Sequence, residues 1–75
     1  MYLYFQHSDG RYTLVADNVS DETVIENIHA HVESLNPNYR IHYIRSWDTP
    51  EGRKYDVGSW SEFYLLTQKP LEACK

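Results

Sequence analysis

Four histidines are the side chains of this 75-residue chain that could hold a metal ion: His7, His29, His31 and His42. His29 and His31 stand two positions apart, and residues at that spacing do not share one face of a helix. His7 and His42 could approach each other across a sheet, but no further ligand accompanies them in the sequence. We therefore expect surface histidines and no metal site.

Candidate nucleophiles and acid–base pairs are also poorly supported. Cys74 stands near the C-terminal end without a fixed neighbour, and Ser59 and Ser61 lack the G-x-S-x-G pattern of a nucleophile elbow. Asp56 and Glu62 could form an acid–base pair, but pairing with a nearby Lys or Arg explains each of them better. The three glycines each suit a turn or a bulge rather than a phosphate-binding loop. The chain is thus predicted not to be an enzyme and to bind no cofactor.

The charge balance argues against nucleic acid as a partner. Eleven Asp and Glu residues outnumber seven scattered Lys and Arg residues, which gives a net charge of −4, whereas gripping phosphates takes a basic face. Several carboxylates are expected along one helix and its entry: Asp21, Glu22, Glu26 and Glu33. A solvated helix face is the simpler interpretation, and the alternative is an acidic surface that mimics nucleic acid for a basic protein.

Cysteine usage and hydropathy indicate a compartment. One cysteine cannot form a disulfide within the chain, which suits a reducing environment. No apolar run approaches the ~18 residues of a membrane span, and the start MYLYFQHSDG does not have the pattern of a signal peptide. We expect a cytoplasmic protein with no membrane partner.

Residues 2 to 16 predict a β-hairpin in which YLYFQH and YTLVAD flank a turn. Asp9-Gly10 is a favoured pair for a two-residue type I′ turn. That turn predicts the following cross-strand partners: His7 with Tyr12, Phe5 with Leu14, and Leu3 with Ala16. Alternation along the strands then places another set on the opposite face: Tyr2, Tyr4, Gln6, Thr13 and Val15.

Residues 18 to 38 predict a helix of ~15 residues that must pack on the sheet, because a helix this short is not stable alone. Ser20 is the expected N-cap, and Asn36-Pro37 ends the helix. An apolar stripe recurs at helical spacing: Val24, Ile25, Ile28, Val32 and Leu35.

Residues 39 to 57 predict a second hairpin. Pro50, Glu51 and Gly52 suit a three-residue loop with a G1 bulge. The predicted partners are Trp47 with Tyr55 and Asp48 with Lys54. One face would then hold Ile41, Tyr43, Arg45, Trp47, Tyr55 and Val57.

The last third of the chain has two interpretations. Ser59-x-x-Glu62 could be the capping box of a short helix. Alternatively, GSWS is a loop or bulge, and residues 62 to 67 form a fifth strand. The sequence EFYLLT is rich in aromatic and branched side chains and has no polar helical face, which favours the strand.

These elements predict a two-layer α+β domain over residues 1 to 67, with the order ββαβββ or ββαββ, and a flexible tail over residues 68 to 75. One helix covers only one face of an antiparallel sheet, so an aromatic patch is expected on the other face, where partners bind. This uncovered face should carry Tyr2, Tyr4, Val15 and some of Tyr43, Trp47 and Trp60. The candidate partner-binding residues are Tyr2, Tyr4, Val15, Trp60 and Tyr64.

Two segments, YFQHSDGRYTLV and KYDVGSWSEFYLL, resemble small proteins encoded by phages and prophages of Gram-positive bacteria. In that group a strand with an S-D-G-R turn precedes a helix, and a tail similar to W-Y-D-V-G-S-H-[ST]-E-F-F closes the chain. Residues 54 to 59 and 61 to 63 match this tail, whereas Trp60 replaces a histidine and Tyr64 a second aromatic. The resemblance covers most of residues 2 to 67. It implies a phage accessory protein of unassigned function and brings no catalytic residues.

The sequence thus predicts a non-enzymatic protein of a bacterial cytoplasm that binds itself, as a homodimer, or a host protein through an aromatic sheet face. The alternative is a role directed at nucleic acid, by stacking single strands on the tyrosines or by mimicking their charge.

Overall fold

The computed structural model of the protein describes residues 1–41, 43–58 and 62–71. Its elements in chain order are β1 (Tyr2–Gln6), β2 (Tyr12–Ala16), α1 (Val24–Leu35), β3 (Arg45–Thr49), β4 (Gly52–Asp56) and β5 (Phe63–Thr67). This order and the antiparallel pairing of the strands confirm the α+β prediction, with one helix packed on a sheet. Because residues 63 to 67 form a strand, the short-helix alternative for this stretch is wrong.

The last strand lies at the centre of the sheet. The strand order is β2-β1-β5-β4-β3, so β5 is inserted between the two hairpins and pairs with both. Tyr64, Leu65 and Leu66 of β5 are almost completely buried. The two hairpins therefore do not pair with each other, and β5 connects them into one sheet.

The hydrophobic core lies between α1 and one face of the sheet. Its buried residues are Leu3, Phe5, Val19, Val24, Ile28, Val32, Tyr55, Val57, Tyr64 and Leu66. Only part of the predicted apolar stripe of the helix takes part, because Ile25 and Leu35 are exposed beside it. Within the described ranges, no helix is both long enough and apolar enough to cross a membrane.

The helix begins one turn later than predicted. Ser20 is not its N-cap: residues 21 to 23 form a turn, and the helix starts at Val24 after Thr23. The Ser20 carbonyl accepts a hydrogen bond from the Val24 N–H at 3.0 Å, and the Ser20 N–H donates to Thr23 Oγ1 at 3.0 Å. The predicted end is confirmed, because the Asn36 N–H closes the last turn on the Val32 carbonyl at 2.9 Å.

The register predicted for the first hairpin is wrong by one residue over most of its length. The loop contains three residues rather than two, because the His7 N–H donates to the Arg11 carbonyl at 2.7 Å around Ser8, Asp9 and Gly10. Gly10 adopts a positive φ of 91°, which suits a three-residue loop closed by a left-handed glycine. The observed partners are Gln6 with Tyr12, Phe5 with Thr13, and Tyr4 with Leu14.

A bulge then shifts this register back by one residue. It lies between Leu3 and Tyr4, and it restores the predicted pair of Leu3 and Ala16. Val15 faces the core because the three-residue loop pairs Phe5 with Thr13, and the bulge brings Ala16 to the same face. The predicted placement of Val15 on the opposite face is therefore wrong, because a shift of one residue in the register exchanges the two faces of a strand.

The second hairpin differs in the opposite sense, because its loop contains two residues where three were predicted. Thr49 pairs with Gly52 around Pro50-Glu51. The remaining partners are Asp48 with Arg53, Trp47 with Lys54, Ser46 with Tyr55, and Arg45 with Asp56. Tyr55 and Val57 therefore face the helix, whereas Arg45 and Trp47 point to the other side of the sheet.

Candidate functional site: the sheet face opposite the helix

The sheet face opposite α1, here called the open face, follows from the register of the four strand pairs. Its members, from β2 to β3, are Tyr12, Leu14, Tyr2, Tyr4, Gln6, Phe63, Leu65, Thr67, Lys54, Asp56, Arg45 and Trp47. The prediction of an aromatic face opposite the helix thus agrees with this geometry, but its exposed rings are Trp47 and Tyr43, whereas the candidate partner-binding residues Tyr4 and Tyr64 are buried.

The middle of the open face is buried. Tyr4 is only 2% exposed, and Leu65 and Thr67 beside it are equally inaccessible. The first residues of the predicted tail contribute to this burial, because the Leu71 N–H donates a hydrogen bond to the Tyr4 hydroxyl oxygen at 2.9 Å. The Thr67 hydroxyl also donates to the Lys69 carbonyl at 2.6 Å. Tyr4 is therefore an internal anchor for residues 68 to 71, and its predicted exposure is wrong.

The exposed aromatic groups lie at the β3 end of the open face. Trp47 is 43% exposed, and its ring meets the Phe63 ring edge-on with centroids 6.2 Å apart. Tyr43, which precedes β3, is 51% exposed. We call this group, with Arg45 and Lys54, the β3 aromatic patch.

Each cation of the patch lies over one of its rings. The Arg45 guanidinium carbon is 5.5 Å from the centre of the Tyr43 ring, and Lys54 Nζ is 5.7 Å from the centre of the Phe63 ring. Cations at this distance are attracted by the negative face of an aromatic ring. The patch therefore presents rings and positive charge together.

Asp56 fixes the orientation of Arg45. Its carboxylate accepts the Gly58 N–H at 2.8 Å and the Arg45 guanidinium at 2.9 Å. These two interactions, the Gly58 hydrogen bond above all, hold the pKa of the Asp56 carboxyl below its ordinary value although burial opposes them. The same carboxylate keeps the pKa of Arg45 raised. Asp56 therefore has the role of an ion-pair partner that the sequence favoured over acid–base chemistry.

The structure brings few of the predicted partner-binding residues together. Tyr2 is half-buried on the open face. Tyr64 faces α1 and is 1% exposed in the core, so its predicted exposure is wrong because the β5 register differs from the assumed one. Trp60 lies outside the described residues. Trp47, the main exposed ring, was one of the residues considered for the uncovered sheet face, but it was not among the candidate partner-binding residues.

A histidine–tyrosine pair under the helix was missed by the sequence reasoning. His31 Nδ1 and the Tyr64 hydroxyl oxygen are 2.7 Å apart in a hydrogen bond, and the Phe5 ring packs against both rings. Burial first, and the nearby His7 second, lower the pKa of His31, while burial raises the pKa of the Tyr64 hydroxyl. Both shifts favour the neutral forms, so the Tyr64 hydroxyl can donate to the neutral imidazole. A histidine three residues after a buried helical position was the available signal.

The predicted acidic residues are all exposed. Glu22, Glu26 and Glu33 follow one another at spacings of four and seven positions, which places them on the outer side of the helix and its entry turn. The ion pairs formed within the described ranges are Asp9–Arg11, Asp56–Arg45 and Asp48–Arg53, and none of these includes the acidic helix residues. The two sides of the molecule therefore differ in charge, since the cations of the patch lie on the other side of the sheet.

Two further features of the described residues bear on ligand binding: the grouping of metal-ligand side chains and an open cleft. Within residues 1–41, 43–58 and 62–71, no three His, Cys, Asp or Glu side chains are grouped in a way that could hold a metal ion. An open cleft of about 650 Å³ runs beside the tip of the second hairpin and residues 66 to 71. Its lining includes Asp48 and Arg53, which neutralise each other at 3.1 Å.

No known protein family, curated protein or solved structure matches the chain. Its function is therefore inferred from its own residues and their geometry.

Proposed function

We propose that the protein is a small non-enzymatic accessory protein, derived from a phage or prophage, that binds another protein in the bacterial cytoplasm through the β3 aromatic patch. The observation that carries this proposal is the exposure of Trp47 and Tyr43 on the sheet face that α1 leaves open. The phage or prophage origin rests on the sequence resemblance of the two terminal segments.

The composition of the patch supports binding of a protein. Trp, Tyr and Arg are the residues that most often dominate the energy of protein interfaces. Here the Arg45 side chain is already held by Asp56 at 2.9 Å, and the Trp47 ring already rests against Phe63. Prior orientation of these side chains reduces the entropy lost on binding.

The test compares two truncations of exposed apolar side chains. Trp47→Ala removes the centre of the patch, and Leu35→Ala removes a side chain that is 60% exposed on the helix, outside the patch. Tagged versions of both variants and of the unchanged protein are used to capture partners from a lysate of the bacterial host, and the captured protein is then titrated in purified form. We expect Trp47→Ala to weaken binding of that protein by at least about 30-fold, as for a central tryptophan of an interface. Leu35→Ala should bind like the unchanged protein.

The proposal fails if Trp47→Ala, still folded by circular dichroism, binds the captured protein as tightly as Leu35→Ala does. Tyr43→Ala sharpens the result, because it removes a second ring of the patch without touching the Trp47–Phe63 contact. We expect a smaller loss of affinity for Tyr43→Ala, since Tyr43 lies outside the sheet strands.

A second candidate function is the stacking of single-stranded nucleic acid. The cations over Tyr43 and Phe63 favour it, because single-strand binding surfaces combine stacking rings with positive charge. The net charge of −4 opposes it. Titration of oligonucleotides, followed by the tryptophan fluorescence of the protein at low and at high salt, separates the two candidates. Binding at low salt that weakens with added salt would support stacking, and its absence at low salt would eliminate it.

A further inference from the structure

The two edges of the sheet differ in how well they are protected against another strand. At the β2 edge, the bulge next to Leu3 interrupts the regular pairing with β1. At the β3 edge, all five residues from Arg45 to Thr49 pair in regular register with β4. No described strand pairs with the outer side of β3. A regular, unpaired edge is a template for an additional strand.

The charges of β3 do not protect this edge either. Natural edge strands often carry unpaired charges that repel a second strand. In β3, however, Arg45 is paired with Asp56 at 2.9 Å and Asp48 with Arg53 at 3.1 Å. Both partners lie on β4, so the outer strand has no uncompensated charge.

The backbone groups available at this edge follow from the antiparallel pattern. Facing residues alternate between pairs that exchange two hydrogen bonds and pairs that exchange none. The pair that flanks the two-residue turn, Thr49 and Gly52, is a bonded one, and so are the pairs of Trp47 and Arg45 with their β4 partners. The N–H and C=O groups of Ser46 and Asp48 therefore point away from β4.

We propose that a second copy of this chain pairs with the free edge of β3, antiparallel and centred on Trp47. Ser46 of each copy then faces Asp48 of the other, and these are the residues whose backbone groups point outward. Trp47 faces its own counterpart at a non-bonded position, where side chains approach most closely. The result is one ten-stranded sheet in which the two β3 aromatic patches lie side by side on the same face.

Charge and the length of the paired segment select this register over its neighbours. A two-fold axis normal to the sheet must pass midway between the two copies of one residue, which then face each other. We name each register by that residue. Centring the pair on Ser46 would join only residues 45 to 47 of the two strands. An axis through Asp48 would place two carboxylates opposite each other, which is unfavourable. An axis through Trp47 places the Ser46 hydroxyl beside the Asp48 carboxylate and Arg45 beside Thr49, so all five residues pair without like charges in opposition.

Disulfide trapping tests the register, in a background in which Cys74→Ser removes the natural thiol. At the non-bonded central pair the Cα atoms are ~4.5 Å apart, within the range of a disulfide. Trp47→Cys should therefore form a covalent dimer on mild oxidation, and a reductant should cleave this dimer into single chains. Ser46→Cys is the matched control. Its two copies would lie diagonally at ~7–8 Å, beyond the usual reach of a disulfide, so the oxidised protein should run on a denaturing, non-reducing gel at the mass of one chain, 8.9 kDa.

Proline substitution tests the edge without cysteines. Ser46→Pro removes an N–H that points outward, so the monomer should fold and the dimer should be lost in light scattering across a concentration series. Ser46→Ala, which keeps the N–H, should retain the dimer mass. Trp47→Pro removes an N–H bonded to β4 and should disrupt the hairpin itself.

The proposal is overturned if the unchanged protein has the mass of one chain at all concentrations. It is equally overturned if Ser46→Cys crosslinks as readily as Trp47→Cys. If Ser46→Pro does not fold, the crosslinking pair decides alone. None of these measurements needs a partner protein, so failure of the dimer and failure of the proposed function are distinguishable.

Discussion

The two hairpins of the sheet have strands of equal length, yet the molecule covers them very differently. In the first hairpin, Leu3 and Phe5 of β1 are buried beneath α1. In the second, the first four residues of β3 are exposed, and only β4 lies beside them. The first hairpin is therefore stabilised mainly by burial of apolar surface. β3 depends on cross-strand pairs, two of them ionic.

The two loops differ in what sets their length. In the first, Gly10 adopts a left-handed conformation, and Asp9 accepts hydrogen bonds from both the Arg11 N–H and its guanidinium. In the second, the Thr49 hydroxyl donates to the Gly52 carbonyl at 2.7 Å, and β5 passes directly beside Gly52. The first loop is thus determined by local hydrogen bonds, and the second also by a strand distant in sequence.

The largest expected difference in the free energy of unfolding is between two single truncations, one of a buried side chain in the first hairpin and one of an exposed side chain in the second. Leu3→Ala removes a fully buried side chain and should lower the free energy of unfolding by about 3 kcal/mol, the usual cost of such a cavity. Trp47→Ala should lower it by less than about 1.5 kcal/mol, the value of one aromatic pair. Urea denaturation measures both. Equal losses would contradict the difference in burial between Leu3 and Trp47.

The two turn glycines should differ next. A methyl group at Gly52 would overlap the Leu66 carbonyl oxygen, whereas at Gly10 it would meet open space. Gly52→Ala should therefore cost about 2 kcal/mol or more, as overpacking does. Gly10→Ala should cost about 1 kcal/mol for its left-handed backbone alone. Thermal unfolding monitored by circular dichroism gives the order, and a larger loss for Gly10→Ala would argue against the close approach of β5.

A smaller effect on the free energy of unfolding is expected from pH. It arises at His31 of α1, whose ring packs against Phe5 of the first hairpin. Because the folded protein lowers the pKa of His31, the unfolded chain takes up a proton first as the pH falls below about 6.5. The free energy of unfolding should therefore decrease from that pH down to the lowered pKa and be independent of this group above it. His31→Gln should reduce this slope, and His29→Gln, an exposed neighbour on the same helix, should leave it unchanged.

The smallest expected effects come from two aspartates, one in each hairpin, whose pKa values are both lowered by hydrogen bonds. Their contributions are present above the ordinary carboxyl pKa of about 3.9 and are lost as the pH falls through the lowered values. Asp56→Asn should reduce stability at neutral pH, and with it the further loss on acidification, more than Asp9→Asn does, because Asp56 is buried and Asp9 is exposed. Urea midpoints at neutral and acidic pH test this order. A larger loss for Asp9→Asn would mean that the local turn matters more than the buried ion pair.

Much of the fold could be predicted from the sequence, but the register could not. Strand and helix patterns identified every element, including β5, since apolar periodicity and turn residues are local signals. The dipeptide Asp9-Gly10 indicated a turn but not its length, and the three residues from Pro50 to Gly52 misled in the opposite direction. One residue of difference in a loop exchanges the two faces of a strand. Parity also differs between β4 and β5: Tyr55 pairs with Tyr64 and shares its face, whereas Tyr64 was expected on the other face.

The sequence by itself determined the secondary structure, its order and the two-layer class, because these depend on the spacing of apolar residues and on turn residues within short segments. Only the tertiary structure decided which aromatic rings are exposed. Tyr4 is buried, and its hydroxyl oxygen accepts a hydrogen bond from Leu71. Tyr64 faces the helix and is hydrogen-bonded to His31. Trp47 is exposed. Each outcome depends on contacts between segments far apart in the chain, whose register is set by packing rather than by local propensity.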